Sequence, residues 1–495
     1  MGRNIKNKNI VIENVTIEKV AAEGNGLAHV DGKVLFVPKT IPGDIVNVSL
    51  TKRKKGFLEG KVLEFLTYSP MRQEPFCPHY GICGGCTWQA LPYEKQLEFK
   101  QQQVEDQLTR IGHLTLPHIS PIIGSSNTLY YRNKLEYTFS NKRWILENES
   151  KELSDNERLA LGFHIPGMFS KVLDIADCKL QSEPSNEIRL FVKDYAKRNN
   201  LSFFDIAAHT GLLRNLMIRI SQTTGEIMVV IVAGASERED YDIVKEKGKS
   251  RNRFTEYLSD KDKEDVIALL NALVEKFPQI TSTFYVANNK GNDTMAGCPI
   301  FHHFGTEYIT ETMEDLTFRI SPKSFYQTNS LQAYKLYSVV RDFASLSGKE
   351  TVYDLYTGTG TIALFLSKKA KKVVGIEYVE DAIIDAKINA RENGIDNATF
   401  YSGDMKDVLN EEFIARNGTP DVIVLDPPRS GIETQVAIVL LSTASKKIIY
   451  VSCNPATQAR DLALLSEKYS ITKIQPVDMF PHTQHVENVV ELILK

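Results

Sequence analysis

The first 66 residues alternate short apolar runs with polar positions and with Gly or Pro. Five such runs lie within the stretches NIVIENVTIEKV, GLAHVDGKVLFVP and GDIVNVSLTKRKKGFLEGKVLEFL. Alternation of this kind, broken at turn residues, is typical of short strands, and five of them at this spacing favour a small closed β-barrel. We therefore predict an OB-like N-terminal barrel over residues 1–66.

The last third of the chain has a different pattern, in which apolar β runs alternate with helical stretches from Tyr326 onward. The β runs are TVYDLY, KKVVGIEYV, NATFYSGD, DVIVLDPP and KKIIYVSC. Strands that alternate with helices favour a doubly wound parallel sheet. The sequence thus predicts an α/β domain over residues 326–495.

Residues 67–325 form a third region, which begins with a segment rich in Pro, Gly and Cys. A polar helix over 94–110 follows, and then the alternating runs KLEYTFS, LALGFHI, NLMIRIS and EIMVVIVAG. We predict an α+β central domain with an antiparallel sheet and flanking helices. Residues 236–265 combine dense mixed charge with little apolar content, which predicts an exposed insertion without an assigned function.

Composition places the chain among globular proteins of two to four domains: it has 495 residues, of which 42% are hydrophobic and 24% charged. Without an apolar run of membrane-spanning length, we expect a cytoplasmic monomer with no membrane partner. The net charge of −3 does not favour nucleic-acid binding overall. Residues 1–66, however, hold eleven Lys or Arg against seven Asp or Glu, concentrated at Lys52-Arg53-Lys54-Lys55. Such a run is more often a solvated loop, but in a barrel of this type it also suits RNA.

A Gly-bearing turn marks the candidate cofactor site. In DLYTGTGTIALFLS, Gly358 and Gly360 separate a strand from a helix, so the backbone can approach a ligand closely at the helix start. Glu377 ends the next strand, nineteen residues after Gly358, and is placed to accept hydrogen bonds from ribose hydroxyls. The turn lacks the third glycine of the dinucleotide fingerprint and the Lys of a P-loop. These two absences disfavour the binding of a pyrophosphate. A nucleoside ligand without phosphate groups indicates S-adenosylmethionine.

Two more carboxylates end later strands, Asp404 in SGDMKDV and Asp426 in LDPPRSG. Asp404 would suit the adenine amino group. Either residue would equally suit a helix N-cap, and the pattern does not choose.

Cys453 in YVSCNPATQARDL is the candidate nucleophile. It follows the apolar run KKIIYV and precedes Asn454-Pro455, so it lies at the carboxyl end of a strand, where open α/β sheets bind their ligands. A small buried thiol is the alternative interpretation.

The remaining cysteines suggest a metal site. Cys77-x5-Cys83-x2-Cys86 lies in the Pro/Gly-rich segment, and Cys178 is distant in sequence. In a reducing compartment four thiols favour a metal over disulfides, and both zinc and a [4Fe–4S] cluster accept four cysteines. Spacing does not choose between them. Cys298 lies outside this pattern and is assigned to packing.

Five motifs together resemble the RNA uracil-C5 methyltransferases: SPKSFYQTNS, DLYTGTGT, LDPPRSG, YVSCNP and HVENVVEL, in that order over the last 175 residues. The resemblance implies a Rossmann-like methyltransferase domain. It also implies a set of cofactor-binding residues, namely Gln327, Tyr356, Gly358, Thr361, Glu377, Asp404 and Asp426. The chain departs from the family turn at Thr357-Gly358 and at Thr361, where relatives commonly have Cys-Gly and Asn.

C5 of uracil is a poor nucleophile, and attack of a thiolate at C6 makes C5 reactive towards a methyl sulfonium. Cys453 suits that attack, and a base must then remove the C5 proton. Glu487 matches the family's base; His482 and His485, beside it, rank behind it as structural residues. Arg429 would hold the extruded base or a phosphate.

The resemblance further implies the branch that acts on 23S ribosomal RNA, with a TRAM barrel and a [4Fe–4S] cluster held by Cys77, Cys83, Cys86 and Cys178. Methylation of transfer-RNA uridine is the alternative within the family. Two alternatives lie outside it: an enzyme that methylates exocyclic amines, which would need no thiol, and a non-catalytic RNA-binding assembly factor.

Overall fold

The computed structural model describes residues 10–21, 24–147, 149–236, 241–246, 249–254 and 258–495, with backbone alone for 241–246 and 249–254. Two compact units divide the chain. The first comprises Met1–Gly81, Gly85–Thr128 and Leu425–Lys495, and the second comprises Ile82–Gly84 and Leu129–Val424. Among the described residues, no helix is long and apolar enough to span a bilayer.

The N-terminal region is a six-stranded sheet. Its strands are β1 Val11–Thr16, β2 Lys19–Val20, β3 Gly26–Val30, β4 Lys33–Val37, β5 Ile45–Arg53 and β6 Phe57–Thr67. Their order is β1-β5-β6-β4-β3-β2, antiparallel except for the β4–β6 pair. Alternate positions such as Leu35, Val46 and Val48 form its core. The prediction counted five strands, and the two-residue β2 is the sixth.

Helix α1, Tyr93–Arg110, follows the Pro/Gly-rich segment, as predicted. Its buried positions recur every three or four residues, which places them on one face of the helix. They are Gln96, Lys100, Val104, Gln107 and Leu108. Three of these five side chains are polar or charged, so this face does more than fill a hydrophobic core.

The central region is built on a seven-stranded sheet in the order β15-β14-β11-β10-β7-β8-β9. Its strands are β7 Lys134–Ser140, β8 Ala160–Ile165, β9 Met168–Asp174, β10 Leu213–Ile220, β11 Ile227–Ala233, β14 Ile280–Ala287 and β15 Ile300–Gly305. All neighbours are antiparallel except β11 and β14. Because the connection from β11 to β14 includes a helix, that pair can run parallel.

Helices and hairpins complete this region. The helices are α2 Ser185–Arg198 and α3 Asp260–Lys276, and the hairpins are β12 Tyr241–Glu246 with β13 Lys249–Phe254 and β16 Ile309–Met313 with β17 Leu316–Ile320. The charged insertion predicted over 236–265 includes the β12–β13 hairpin. Residues 237–240, 247–248 and 255–257 of that insertion lie outside the described residues.

The last region contains a seven-stranded sheet in the order β20-β19-β18-β21-β22-β24-β23. Its strands are β18 Thr351–Leu355, β19 Lys372–Glu377, β20 Ala398–Ser402, β21 Val422–Leu425, β22 Lys447–Ser452, β23 Tyr469–Val477 and β24 Glu487–Leu494. Its helices are α4 Ser330–Ala344, α5 Thr361–Ser367, α6 Glu380–Glu392, α7 Met405–Val408, α8 Glu411–Asn417, α9 Thr434–Thr443 and α10 Pro455–Leu465.

The five apolar runs of the sequence form β18 to β22, and the predicted α/β fold is confirmed. Strands β18, β19 and β20 pair in parallel. The sheet ends differently, because β24 pairs antiparallel with both β22 and β23. Residues 478–486 join β23 to β24 without a helix, and parallel strands require a longer crossover.

Candidate active site and cofactor site

Register brings the candidate nucleophile and the candidate base together in the first unit. Ser452, the last residue of β22, pairs with Asn488 of β24 in an antiparallel register. The next position along each strand is Cys453 on one side and Glu487 on the other. The two side chains therefore lie near each other, and burial together with the charge of Glu487 raises the pKa of the Cys453 thiol.

Two amide side chains fix this pair of strands from behind. Gln458 on α10 donates to the backbone oxygens of Tyr450 (3.0 Å) and Asn488 (3.1 Å), and Asn488 Nδ2 donates to Gln458 Oε1 at 2.8 Å. Both amides are fully buried, where hydrogen bonds are strong and their loss is costly. The positions of Cys453 and Glu487 are therefore set by a polar network between β22, β24 and α10.

The loop after β21 is held against the start of α10. Asn454 caps this helix through its side chain, which accepts from Ala456 N. Asn454 Nδ2 and Thr457 Oγ1 both donate to the backbone oxygen of Arg429, at 3.0 and 3.1 Å. Arg429 is thereby placed beside the strand end that bears Cys453.

Burial dominates the electrostatics of this group. Burial, with smaller contributions from Glu487 and Asp426, raises the pKa of Cys453 to about 11. Burial likewise raises the pKa of Glu487 to about 8 and that of Asp426 to about 7. Arg429 lowers the pKa of both Cys453 and Glu487, but by less. The cluster thus holds three acids and one cation, and in the free protein the thiol is protonated at neutral pH.

The Gly-bearing turn lies in the second unit. Gly358 and Gly360 have φ of 55° and 80°, the left-handed region that favours glycine. A Cβ at Gly358 would meet nothing within 4 Å, whereas one at Gly360 would touch Ala386 and Phe400. The space beside Gly358 is therefore open to a ligand, whereas the missing side chain at Gly360 lets Ala386 and Phe400 pack against the turn.

Glu377 ends β19 beside this turn. Its Oε2 accepts from Gly358 N at 3.1 Å, and its Oε1 accepts from Val379 N at 3.0 Å. The carboxylate is thus fixed next to the turn and partly exposed. A fixed acceptor at the end of the second parallel strand suits the hydroxyls of a ribose, as the sequence predicted.

The other predicted cofactor residues have mixed surroundings. Thr361 is the buried first residue of α5, and Tyr356 has φ of 66° just before the turn. The backbone oxygen of Gln327 accepts from Asn133 Nδ2 at 2.8 Å, which fixes the loop that bears it. Asp404 caps α7 by accepting from Lys406 N, the alternative that the sequence left open.

The basic run of residues 52–55 lies at the end of β5 and in the turn to β6, with all four side chains exposed. Lys52 pairs with Glu59 at 3.1 Å, which offsets one of the four charges. Lys54 lies 5.2 Å from the ring centroid of Phe57. Charge next to an aromatic ring on an exposed turn is compatible with contact to a nucleic acid.

The part of the chain that the structure describes shows no metal site at the four predicted ligands. Cys77, Cys83 and Cys86 are half-buried, Cys178 is buried, and none of the six cysteines forms a disulfide. The described residues include no group of three or more His, Cys, Asp or Glu side chains that could hold a metal ion. The structure therefore does not support the iron–sulfur prediction. Sequence spacing reports that thiols are present, whereas ligation requires them to converge in three dimensions.

His482, one of the two histidines near Glu487, is buried and bonded to helix α1. His482 is 4% exposed, and burial lowers its pKa to about 4. Its side chain bonds to Gln96 of α1, a contact that sequence reasoning missed. The sequence signal that could have indicated this contact is the set of polar residues at the regularly spaced positions of α1 where an amphipathic helix would have apolar residues.

These features define a class. A parallel sheet with a glycine turn after its first strand and a carboxylate at the end of its second strand suits the nucleoside part of S-adenosylmethionine, as in the class of methyltransferases that use this cofactor. The residues present fit that cofactor, because Glu377 offers the ribose acceptor and Gly358 the open backbone.

Comparison with known proteins identifies the family. Residues 301–495 match the tRNA (uracil-5-)-methyltransferase family, and residues 11–63 match the TRAM domain. An RNA methyltransferase of Bacteroides thetaiotaomicron is 51% identical, covering 96% of this chain and 100% of its own length. One from Porphyromonas gingivalis is 50% identical, covering 96% and 99%. The chain belongs to this family of RNA methyltransferases.

A solved structure gives the same result for the fold. The Pyrococcus abyssi tRNA (uracil-54, C5)-methyltransferase in complex with S-adenosyl-L-homocysteine has a TM-score of 0.71 and 28% identity, and the match covers 97% of this chain and 100% of that one. The chain is thus an S-adenosylmethionine-dependent RNA methyltransferase with an N-terminal TRAM domain.

Proposed function

We propose that this enzyme transfers a methyl group from S-adenosylmethionine to C5 of a uridine in RNA, with Cys453 as nucleophile and Glu487 as base. The observation that supports this most strongly is the register of β22 and β24, which makes the two side chains neighbours. Methylation of an exocyclic amine needs neither a thiol nor a base at this position.

The reaction proceeds in three steps. The sulfur of Cys453 bonds to C6 while the electrons of the C5=C6 bond move onto the C4 oxygen, and the thiol proton passes to Asp426, the most acidic carboxyl of the cluster. C5 then attacks the methyl carbon that S-adenosylmethionine would supply. The bond between that carbon and sulfur breaks, with S-adenosylhomocysteine as the leaving group. Finally Glu487 takes the C5 proton, the C5=C6 bond re-forms and the C6–S bond breaks.

The other assignments follow the chain. Gln327, Tyr356, Gly358, Thr361, Glu377 and Asp404, together with Asp426, are the residues proposed to hold the cofactor. Arg429 is proposed to stabilise the negative charge on the uracil oxygen. We assign a role to each predicted domain: residues 1–66 bind RNA, residues 67–325 form the central domain, and residues 326–495 transfer the methyl group.

Two kinds of RNA are candidates for the substrate. By family resemblance, the N-terminal barrel together with the four-cysteine pattern favours 23S ribosomal RNA, whereas the solved relative whose match covers 97% of this chain is a tRNA (uracil-54, C5)-methyltransferase. Mass-spectrometric mapping of 5-methyluridine in both RNAs, from a strain lacking this protein, decides between them. Loss of the modification from one RNA identifies the substrate, and loss from neither refutes uridine methylation.

Two variants test the assigned roles. Cys453→Ala removes the sulfur that is proposed to bond to C6, so no covalent RNA adduct should form. Glu487→Gln should still attack and methylate, and then accumulate an adduct bearing the methyl group, because losing a positioned base costs about 10²–10⁴ in rate. Gel shift under denaturing conditions, with methyl-tritiated cofactor, measures both. An adduct from Cys453→Ala, or wild-type turnover by Glu487→Gln, would show that these roles are wrong.

A further inference from the structure

A row of polar side chains on one face of α1 is buried against residues 478–486, the segment that joins β23 to β24. Tyr93, Gln96 and Lys100 follow each other at spacings of three and four, so they share one helix face. Gln96 and Lys100 are fully buried. Burying such groups costs free energy unless they are fully partnered, so their partners indicate what the row is for.

Lys100 and Asp478 form an ion pair whose side chains are both fully buried. Lys100 Nζ donates to Asp478 Oδ1 at 2.6 Å and to the backbone oxygen of Phe480 at 3.0 Å. Tyr93 Oη donates to Asp478 Oδ2 at 2.7 Å, and Phe480 N donates to Oδ1 at 3.0 Å. Asp478 is thus bonded through both oxygens, and the segment is fixed at its first and third residues.

Gln96 fixes the same segment two residues later. Its Nε2 donates to His482 Nδ1 at 3.1 Å, and its Oε1 accepts from His482 N at 2.8 Å. Because burial keeps His482 neutral, Nδ1 is free to accept. Thr87 N and Trp88 N donate to the backbone oxygen of His482, at 2.8 and 3.0 Å. The segment is therefore held at alternate residues by directional bonds.

These bonds lie next to the proposed base. Asp478 directly follows Val477, and Val477 pairs in register with Glu487 across β23 and β24. A shift of Asp478 is thus transmitted through one peptide unit to the strand partner of Glu487. Apolar side chains of similar volume often stabilise a fold at least as well as a buried ion pair, so stability alone does not account for Lys100 and Asp478.

We propose that Lys100, Asp478 and Gln96 are positioning residues for Glu487. They hold residues 478–486 so that its carboxylate reaches the C5 proton once the methyl group is in place. The inference rests on the proposed function, since it assigns these residues to the last of its three steps. None of them touches the substrate, and methyl transfer itself does not need them.

Two variants separate this role from a purely structural one. Lys100→Met with Asp478→Asn replaces the ion pair by a neutral pair of similar size and leaves no buried charge unpaired. Gln96→Met removes the bonds to His482 together with those from Gln96 Nε2 to the backbone oxygens of Trp88 (3.1 Å) and Leu91 (2.9 Å). It introduces no charge and serves as the test if the double variant does not fold. Lys95→Met is the matched control, because Lys95 lies on the same helix but is exposed and pairs with Glu98 at 2.7 Å.

The assay is a single turnover with methyl-tritiated cofactor and the RNA identified by mapping. It follows two rates, the appearance of the methylated adduct and its resolution to free 5-methyluridine RNA. We expect adduct formation within about twofold of wild type and resolution slowed by about tenfold or more, because small misplacements of a reacting group have effects of that size. The control should match wild type in both rates.

Three outcomes are distinguishable. If the folded variants resolve the adduct at the wild-type rate, or if both rates fall equally, the positioning role is wrong while the proposed function stands. If wild type forms no methylated adduct and no 5-methyluridine, the proposed function fails and the inference fails with it. Accumulation of adduct in the variants and in Glu487→Gln, but not in the control, supports both.

Discussion

Replacing Glu487 by Gln should stabilise the folded protein, and by more as the pH rises. Burial, with a smaller contribution from Asp426, raises the pKa of Glu487 from 4.5 to about 8. The folded state then binds its proton more tightly than the unfolded chain does. The stability from that proton is fully present below the unfolded pKa and is lost as pH rises through the folded pKa. Gln has no proton to lose and avoids this penalty.

The magnitude follows from the shift. Each pKa unit corresponds to about 1.4 kcal/mol, so a shift from 4.5 to about 8 amounts to about 5 kcal/mol above pH 8. This is an upper limit, because local rearrangement and water penetration relieve part of the cost of a buried charge. At about pH 4 the carboxyl is neutral in both states, and wild type and variant should be equally stable.

Glu491 on the same strand provides a control of opposite sign. Burial alone would raise its pKa, but bonds from Thr472, Lys473 and Lys447 outweigh burial and lower the pKa. Its stability contribution is therefore present above the unfolded pKa and is lost as pH falls through the lowered folded pKa. Glu491→Gln should destabilise the protein at neutral pH and have little effect in acid.

Thermal unfolding of wild type and both variants, at about pH 4 and about pH 8.5, measures these effects. At the higher pH, we expect the midpoint of Glu487→Gln to lie several degrees above wild type and that of Glu491→Gln to lie below it. A midpoint for Glu487→Gln below wild type at the higher pH, or an offset that does not change with pH, would refute a buried and destabilised carboxylate at this position.

Three further predictions concern the base, the cofactor and the cysteines. In wild type the resolution of the methylated adduct should speed up with pH until Glu487 is ionised, near its pKa of about 8, and Glu487→Gln should show no such rise in single-turnover experiments. Glu377→Ala should weaken S-adenosylhomocysteine binding about 10- to 100-fold by calorimetry, since it removes a charged acceptor, while the exposed Glu380→Ala should not; equal affinities would exclude Glu377 from the cofactor site. Metal and sulfide analysis of anaerobically purified protein tests the four-cysteine pattern: the family resemblance implies iron and sulfide that Cys83→Ser loses and Cys298→Ser keeps, and protein that contains neither iron nor sulfide would show that the iron–sulfur prediction is wrong.

The apolar pattern was enough to predict the strands that form the cofactor site. Strands β18, β19, β21 and β22 are almost continuous buried runs, because parallel strands inside a sheet are covered on both faces, and such runs are visible without tertiary information. The edge strand β20 buries only Phe400. The same reasoning placed Cys453 at a strand end. It missed the antiparallel pairing of β24, since the partner of a strand depends on long-range register rather than on its own composition.

The polar face of α1 could not be predicted for a related reason. Gln96 and Lys100 have the composition of an exposed helix face, and their burial follows only from partners at Asp478 and His482, more than 370 residues away in sequence. Whether the four cysteines converge likewise depends on contacts between segments that are distant in sequence. Local patterns predict elements and strand ends, whereas buried polar contacts depend on which distant segments meet.

The electrostatics of the active-site cluster also bear on the order of the proposed steps. The negative charge of Glu487 raises the pKa of Cys453, and the effect is reciprocal, so a thiolate and a carboxylate at these neighbouring positions disfavour each other. Once sulfur has bonded to C6 its charge is gone, and Glu487 ionises more readily and becomes an effective base. When Glu487 takes the C5 proton its own charge disappears, and the departing thiolate no longer faces a carboxylate. The last step therefore replaces the negative charge of the Glu487 carboxylate by that of the Cys453 thiolate. The total charge of the cluster stays the same in this step, so no additional anion is buried.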